Sequence, residues 1–365
     1  MNIKEFIHTI LEFASKNKYP DIHLNTWMHP NMRDNTWSII SITEVPQWES
    51  SLKLPKITRE VMEQIIIEIV WKPGFDKFIN EMEIDSSYII ENGDRYRVNC
   101  YMDSMWYSIA LRLIPSEIPS LEELWLGDQI KELCNRGKGL VLVTWPTGSW
   151  KSTNLAAMID YINKTHKKHI ITVEDPIEFA FKSEQSLINQ REVGNHTKGF
   201  APAIRAALRE DPDVIMIWEM RDPETIKAAI TLAETGHLVF STLHTNDSVQ
   251  TIDRIVDVFP WAQQKQIRMQ LAMSIAWVVS QRLIPRSDKD QRVAAREVLI
   301  SNDAVRNLII SWKTHQLYSV LEVWKKQWMI LMDKYLTILY QKKMISKETL
   351  LSYVRDKESI EMMID

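Results

Sequence analysis

Residues 145–153 have the length and the setting of a phosphate-binding loop. They follow the apolar run 140–143, precede a stretch of helical character, and read Trp-Pro-Thr-Gly-Ser-Trp-Lys-Ser-Thr. Such loops have the pattern G-x-x-x-x-G-K-[ST], in which backbone N–H groups and the lysine hold the phosphates and the hydroxyl binds Mg²⁺. Lys151 and Ser152 fit this pattern, but Trp145 and Trp150 occupy both glycine positions. An indole there would obstruct the close approach of the backbone to a phosphate, so taken alone the stretch also fits an ordinary surface loop.

Carboxylates and histidines stand at the ends of three further apolar runs. Glu174 follows the run 170–173, Glu219 follows 214–217, and His237 and His244 flank the run that begins at 238. A carboxylate at a strand end can bind Mg²⁺ directly or through water, and another can polarise a water for attack. Each of these residues alone also fits a solvated acid or a packed histidine. Together they favour a nucleotide hydrolase.

The elements that must position these residues follow from hydrophobic patterning. Continuous apolar runs at 140–143, 170–173, 214–217 and 238–240 alternate with helical stretches such as 154–164 and 203–210. This alternation predicts a parallel sheet that is covered by helices on both faces. Ligands of such sheets bind beyond the carboxyl ends of the strands. From about residue 262 onward the pattern is mainly helical.

The first part of the chain has a different pattern. Its opening apolar residues follow helical spacing, the segments 21–24 and 96–99 alternate like strands, and 61–70 predicts a helix that ends at Pro73. Pro115 and Pro119 mark a linker. We therefore expect a small α+β domain over residues 1–118 and an α/β domain over 119–365, with a helical part from about 262.

Charge, cysteine content and hydropathy exclude several classes of protein. The net charge of −4 carries no basic excess, so no nucleic-acid partner is expected. Cys100 and Cys134 are too few for a disulfide scaffold or a four-cysteine zinc site, and they predict reduced thiols in a cytoplasmic protein. No apolar run approaches the length of a membrane helix and the first residues do not form a secretory signal. Direct membrane insertion is therefore not expected.

Long motifs across the chain resemble those of the type IV pilus retraction (twitching motility) ATPases, a branch of the secretion ATPase superfamily. The resemblance runs from Asp21 to about Ser346. The motifs that carry it are Asp21–Leu24, Arg95–Asn99, the acid-rich box Glu174–Glu178, Asn189–Gly194, Ala207–Asp213 and the histidine box Ala233–Thr245.

The resemblance implies ATP and Mg²⁺ as cofactors and assigns roles to individual residues. Glu174 would be the general base that orients the attacking water, and Glu219 would occupy the Walker B position. His237 and His244 would sense the nucleotide or link subunits, while Arg97 and Arg112 of the N-terminal domain would reach the phosphates. Ser152 and Glu219 would hold Mg²⁺ through the nucleotide. The nucleotide-binding residues would be Trp145, Pro146, Thr147, Gly148, Ser149, Trp150, Lys151, Ser152 and Thr153.

The resemblance also implies an architecture and partners. The fold would be a RecA-like P-loop ATPase domain of class α/β with a smaller N-terminal α+β (PAS-like) domain and a helical C-terminal region. The protein would be a homohexamer in the cytoplasm, peripheral at the inner face of the cytoplasmic membrane, with ATP bound between the two domains and near a neighbouring subunit. Hydrolysis would drive pilus disassembly through an inner-membrane platform protein.

Two features favour the retraction branch over pilus assembly or secretion ATPases. Assembly and secretion members often carry a four-cysteine metal element, which two cysteines cannot form. The segment Ala304–Ile309 resembles the retraction motif A-I-R-N-L-I-R-E and departs from it at Ile310 and Ser311. An assembly or secretion ATPase stays an alternative, and the charge disfavours a DNA-translocating ring ATPase.

The nine glycines and fourteen tryptophans of the chain form a further pattern. Together they approach the roughly 25 glycines that average usage gives for this length. The family has glycine where this chain has Trp27, Trp106, Trp125, Trp145, Trp150, Trp218, Trp277, Trp312, Trp324 and Trp328. Trp37 and Trp261 are plausible further cases, and Trp48 and Trp71 have no assigned counterpart.

Replacement of one residue type by one other type implies a single cause. We hypothesise UGA codons that the source organism reads as glycine, with glycine at most or all of these positions in the native protein. If the tryptophans are real, the phosphate loop is blocked and the chain is a non-hydrolysing ring subunit or scaffold.

Overall fold

The computed structural model describes residues 2–33, 38–45, 48, 55–114, 117–124, 126–144, 151–288, 292–323 and 329–364. The chain divides into two compact units. The first comprises residues 1–117 and 178–180, and the second comprises residues 118–177 and 181–365.

The first unit is a six-stranded antiparallel sheet with two helices. Its elements are α1 (Ile3–Lys16), β1 (Asp21–Asn25), β2 (Asn31–Arg33), β3 (Ile39–Ser41), α2 (Arg59–Glu81), β4 (Glu83–Ile89), β5 (Arg95–Asp103) and β6 (Trp106–Ile114). The strand order is β3-β2-β1-β6-β5-β4. Alternate residues of the strands pack with both helices into one core, as Ile22, Val98 and Leu111 do against Ile7 and Ile66. The opposite face of β1, β5 and β6 is left for polar side chains.

Helix α2 begins where the sequence predicts but is longer than expected. Thr58 caps its first turn by accepting a hydrogen bond from the Val61 N–H. The helix is interrupted at Trp71, with φ 62° and ψ 167°, and then resumes through Pro73 to Glu81. The predicted end at Pro73 is therefore a kink, because a proline fits the first turn of the resumed helix.

The second unit is built on a seven-stranded sheet. Its strands are β7 (Gly139–Thr144), β8 (His169–Glu174), β9 (Leu187–Glu192), β10 (Val214–Ile217), β11 (Leu238–Leu243), β12 (Ile275–Pro285) and β13 (Arg292–Ile300). Its helices are α3 (Asp128–Cys134), α4 (Lys151–Thr165), α5 (Phe200–Ala207), α6 (Pro223–Glu234), α7 (Ser248–Asp257), α8 (Trp261–Ser274), α9 (Asp303–Ile310), α10 (Leu317–Val323), α11 (Met332–Gln341), α12 (Lys347–Tyr353) and α13 (Lys357–Ile364). The order is β13-β12-β7-β11-β10-β8-β9, and every neighbouring pair is parallel except β12 and β13.

The four apolar runs of the sequence are β7, β8, β10 and β11, which lie together in the sheet with nearly every side chain buried. Apolar clusters cover both faces, one beneath α6, α7 and α8 and the other beneath α3 and α4. The α/β fold class is confirmed.

The expectation that the chain is mainly helical from residue 262 needs a correction. The strands β12 and β13 extend the sheet there, and the helices α9 to α13 follow them. Polar residues break the apolar pattern of these strands, and the charged residues Arg296 and Glu297 among them are buried and hydrogen-bonded to neutral groups. Arg296 donates to the side chain of Gln281 and to the Leu124 carbonyl, and Glu297 accepts from the N–H and hydroxyl of Ser248.

Candidate active site

The described part of the phosphate loop is the start of α4. Strand β7 ends at Thr144 and α4 begins at Lys151, with Ser152 and Thr153 half-buried in its first turn. The predicted loop residues Trp145, Pro146, Thr147, Gly148, Ser149 and Trp150 lie outside the described residues, as does the side chain of Lys151. The first N–H groups and the dipole of a helix of this length favour an anion at this end.

Glu174 is the last residue of β8, and its side chain is buried with 2% of its surface exposed. Its Oε1 accepts hydrogen bonds from the Thr172 hydroxyl at 2.6 Å and from the Gln190 side-chain amide at 2.9 Å. Both donors are held by the sheet, since Thr172 lies on β8 and Gln190 is its register partner on β9. The carboxylate is thus fixed in orientation and hydrogen-bonded, as a general base requires.

Glu219 follows β10 by two residues and is likewise buried. Its Oε2 lies 2.8 Å from Nη2 of Arg221, and its Oε1 lies 3.4 Å from Nε2 of His244. Arg221 is exposed, with 76% of its side-chain surface accessible, whereas the Glu219 side chain is 8% exposed. One buried carboxylate is therefore contacted on both oxygens by basic side chains.

Strand register brings Glu174, Glu219 and His244 to one edge. Val173 pairs with Ile217, and Ile217 pairs with Ser241, so the residues that follow these strands leave the sheet on the same side. Leu243 pairs with Thr144, so the carboxyl end of β7 lies at this edge too. Two of the predicted catalytic acids and one of the predicted histidines therefore lie together at the carboxyl ends of the parallel strands, where α4 also begins.

His237 lies at the opposite edge. It precedes β11, and its neighbour Leu238 pairs with Gly139 at the beginning of β7. Its Nδ1 lies 3.0 Å from the Leu232 carbonyl and 3.1 Å from the Thr235 hydroxyl. The six residues of β11 separate it from His244, which is about 20 Å of strand. The structure does not bring the two predicted histidines together, because they stand at opposite ends of one strand.

The donors at the carboxyl edge fit Mg²⁺. Ser152 supplies a hydroxyl and Glu219 a carboxylate, which are the hard oxygen ligands that this ion takes in phosphate-transfer sites. Within the described residues no group of three or more His, Cys, Asp or Glu could hold a metal. A site completed by phosphate oxygens needs only one or two protein ligands, so the two oxygen donors are sufficient.

Arg97 and Arg112 lie side by side in the first unit. They are register partners on β5 and β6, and both are exposed. Arg112 pairs in turn with Asp21 on β1, and Asp21 contacts Arg33 at the end of β2. These four residues form a charged row across the sheet, Arg33–Asp21–Arg112–Arg97, on the face away from the core.

Five of the residues described above have no role assigned from the sequence: Thr172, Gln190, Arg221, Asp21 and Arg33. Gln190 and Asp21 lie inside motifs that carry the resemblance to the family, whereas Thr172 and Arg221 lie outside them. A motif does not show which side chains meet. Register supplies that information for the sheet residues. Nothing in the sequence around Arg33 indicates a role for it beyond its positive charge.

Neither cysteine belongs to the candidate site or to the charged row. Both thiols are buried, and burial raises the pKa of Cys100 to about 12 and raises that of Cys134 as well.

The C-terminal motif 304–309 lies within α9, which Asn302 caps by accepting a hydrogen bond from the Val305 N–H. Among the described residues, no helix is both long and apolar enough to cross a membrane.

The fold belongs to a known class of proteins. The family of type II/IV secretion system proteins matches residues 104–327, and this chain is a member of that family.

Two curated relatives are similar over most of their length. The chain is 43% identical over 327 residues to a twitching motility protein of Neisseria gonorrhoeae, covering 89% of this chain and 87% of the relative. It is 42% identical over 342 residues to the type IV pilus retraction ATPase PilT of Pseudomonas aeruginosa, covering 94% and 96%. A crystal structure of the pilus retraction motor PilT with bound ADP superposes with a TM-score of 0.87 at 42% identity, covering 98% of this chain and 99% of that one. The resemblance to the retraction ATPases is confirmed, and so is the RecA-like fold class that it implies.

Proposed function

We propose that this chain is a motor that hydrolyses ATP to retract type IV pili. One observation carries the proposal: two buried carboxylates, Glu174 and Glu219, lie at the same carboxyl edge of the sheet, where α4 begins. They do so in a chain 42% identical, over 94% of its length, to a pilus retraction ATPase. The fold alone would leave the chemistry open.

The site divides the chemistry among the chain's own residues. Lys151 and the first N–H groups of α4 bind the phosphates, and Glu174 takes a proton from the attacking water. Thr172 and Gln190 hold the Glu174 carboxylate in place for that step. Ser152 and Glu219 hold Mg²⁺, which neutralises charge on the phosphates when bound. Arg97 and Arg112 stabilise the charge of the transferred phosphoryl group.

We also infer the assembly from the resemblance. The protein forms a homohexamer in the cytoplasm, peripheral at the inner face of the membrane, and acts on an inner-membrane platform protein of the pilus. His237 and His244 sense the nucleotide or link subunits, and their separation along β11 suits two different contacts. Light scattering on the purified chain with and without ADP tests for the hexamer, and a monomer under both conditions would contradict this part.

Glycine at the tryptophan positions is part of this proposal, and backbone geometry supports it. Among the described residues, Trp27, Trp71, Trp106 and Trp312 have φ values of 69°, 62°, 123° and 63°. Bulky L-residues rarely adopt a positive φ, and glycine adopts it freely. Trp71 combines its φ with ψ 167°, a region occupied essentially by glycine. Trp71 has no counterpart glycine assigned from the family, so its geometry is independent support.

Side-chain environment adds a second argument. Trp277 is buried with 2% of its surface exposed, and its indole N–H has no hydrogen-bond partner among the described residues. A buried donor without a partner costs about 1–3 kcal/mol. Glycine at this position carries no such donor.

Nucleotide binding separates the ATPase from its alternative, a non-hydrolysing ring subunit or scaffold. Three forms are compared: the chain as written, the chain carrying Trp145→Gly and Trp150→Gly, and the chain with all fourteen tryptophans replaced by glycine, here called the all-glycine chain. We expect ADP and ATP binding, measured by calorimetry, only in the two glycine forms. Tight binding by the chain as written would contradict the steric argument. No binding by any form would favour the scaffold.

The coding DNA and the native protein provide a direct check. UGA codons at these positions, together with glycine in peptides of the native protein by mass spectrometry, would establish the substitution. UGG codons at 145 and 150 would overturn it.

Deletion of the gene separates retraction from assembly. Loss of a retraction motor abolishes twitching motility while pili stay on the cell surface. Loss of an assembly or secretion ATPase of the same superfamily removes the pili or the secreted protein instead. Electron microscopy of surface pili beside a twitching assay therefore decides between the two.

A further inference from the structure

The ion pair between Arg221 and Glu219 lies within the proposed metal site. The Arg221 guanidinium donates from Nη2 to Oε2 of Glu219 at 2.8 Å, a short charge-assisted hydrogen bond. The carboxylate is buried, whereas the arginine extends into solvent. The Arg221 guanidinium thus lies between solvent and Glu219, the one carboxylate that the proposal assigns to Mg²⁺.

A guanidinium and a divalent cation need the same oxygen. Glu219 is contacted on its other oxygen by His244 at 3.4 Å, so each oxygen already has a basic side chain beside it. A metal that binds an oxygen of Glu219 must share that oxygen with a basic group or displace it, and repulsion between a guanidinium and a divalent cation favours displacement. Arg221 has more solvent around it into which to move, because 76% of its side chain is exposed against 34% for His244.

Arg221 also has a second acidic neighbour. Glu219 contributes most to raising its pKa, and the charge of Asp175, which directly follows Glu174, raises it further. Asp175 is exposed at the same edge of the sheet. The charge of Asp175 therefore adds to that of Glu219 in favouring a cation at this edge.

We propose that Arg221 is a gate on the metal site of this ATPase: its guanidinium competes with Mg²⁺ for Glu219 and swings into solvent when the metal binds. The inference rests on the proposed function and adds to it a positioning residue that acts through Glu219. Its consequence is that the wild-type side chain weakens metal binding. A gate of this kind makes release of the metal with the product easier.

The test measures metal affinity directly in the all-glycine chain. Mn²⁺ binding at saturating ADP is followed by electron paramagnetic resonance for wild-type Arg221, Arg221→Gln and Arg221→Lys. We expect Arg221→Gln to bind Mn²⁺ about three- to tenfold more tightly, the range that loss of one charged hydrogen bond to a carboxylate gives. Arg221→Lys retains the charge without the planar fork, so it should fall between the two.

A matched control is Arg205→Gln. This arginine also pairs with a carboxylate in the same unit, at 3.7 Å from Glu224, and both members of the pair are exposed. Its loss should leave Mn²⁺ affinity unchanged.

The outcomes separate this inference from the proposed function. Unchanged or weaker Mn²⁺ binding by Arg221→Gln, in a chain that binds ADP normally, would overturn the gate and leave the ATPase proposal standing. Failure of the all-glycine chain to bind ADP at all would overturn both. Thermal unfolding of each variant confirms that the exposed substitutions leave the fold intact.

Discussion

The carboxylate of Asp21 lies 2.6 Å from Nε of Arg112, on neighbouring strands 91 residues apart in the chain. A second, longer bond of 3.4 Å joins Nη2 to the other oxygen, and Arg33 contacts that same oxygen at 3.4 Å. The Asp21 side chain is 8% exposed and the Arg112 side chain 67% exposed. The bonds to Asp21 also raise the pKa of Arg112, chiefly through the hydrogen bond itself. Asp21 thereby anchors a guanidinium whose far end stays accessible.

Asp21→Asn should lower both stability and turnover. Loss of the carboxylate leaves two guanidiniums without their shared partner, which costs about 1–2 kcal/mol for a half-exposed cluster and lowers kcat about tenfold if Arg112 contacts phosphate. Chemical denaturation and a steady-state ATPase assay measure the two effects. Asp85→Asn is the control, because Asp85 is exposed on β4 and bonded only at 3.3 Å to the Asn99 amide. Equal losses of stability and kcat in the two variants would show that Asp21 has no special role.

Glu174→Gln should separate nucleotide binding from hydrolysis. The amide keeps the size of the side chain but cannot accept the proton of the attacking water, so kcat should fall by about 100-fold or more while ADP affinity changes little. Thr172→Val removes a hydrogen bond that orients the carboxylate and should give a smaller loss of kcat. The measurement is kcat alongside calorimetric ADP binding, both in the all-glycine chain. A fully active Glu174→Gln variant would refute the general-base role.

Trp71→Gly should stabilise the chain as written, because the backbone at this residue is strained for any side chain. Relief of a φ and ψ pair of this kind is worth about 1–3 kcal/mol. Trp71→Ala should give no comparable gain, since alanine has the same restriction. Trp261→Gly is the matched control: it is equally exposed, at 75% against 77%, but begins α8 without a positive φ. A lower unfolding temperature for Trp71→Gly than for Trp71→Ala would contradict backbone strain at this residue.

The first unit should lose stability as the pH falls below about 6.5, because of His23. Burial is the main cause that lowers the pKa of this imidazole, opposed by the charge of Asp21 and reinforced by Arg33 and Arg112. Its Nε2 has no hydrogen-bond partner among the described residues. The unfolded chain therefore takes up a proton at a higher pH than the folded chain does, and stability decreases from the ordinary pKa of 6.5 downward until the folded form is protonated as well.

His23→Gln tests this pH dependence. Denaturant midpoints at pH 7.5 and pH 5.5 should differ less in the variant than in the parent chain. The half-buried His166, bonded to the Thr165 hydroxyl in the second unit, gives the comparison variant His166→Gln. An identical pH dependence in His23→Gln and the parent chain would show that another group is responsible.

The parallel strands were predictable because each is buried on both faces. Such strands are continuous apolar runs in the sequence, and β7, β8, β10 and β11 all have this form. The predicted site residues Glu174, Glu219 and His244 follow from the same property, since the end of an apolar run is the end of a strand. The end of the strand at which a residue stands matters equally. His237 stands at the amino end of β11, so it does not lie with Glu174, Glu219 and His244 at the carboxyl edge.

The strands β12 and β13 could not be predicted in this way. Their buried charges, Arg296 and Glu297, look like surface residues until their partners are known, and Arg296 bonds to the Leu124 carbonyl 172 residues away. The charged row is hidden for the same reason. Strand register brings Asp21 and Arg112 together, and nothing local in the sequence indicates that register.

The row Arg33–Asp21–Arg112–Arg97 sets three guanidiniums against one carboxylate in a chain whose net charge is −4. The row itself therefore has an excess of positive charge, although the molecule as a whole is acidic. The field of such an excess attracts anions from solution and raises the rate at which they arrive, and salt screens it within about 10 Å at 0.1 M ionic strength. An anionic ligand that reaches this face should accordingly arrive more slowly as salt is added, in the manner of a basic protein.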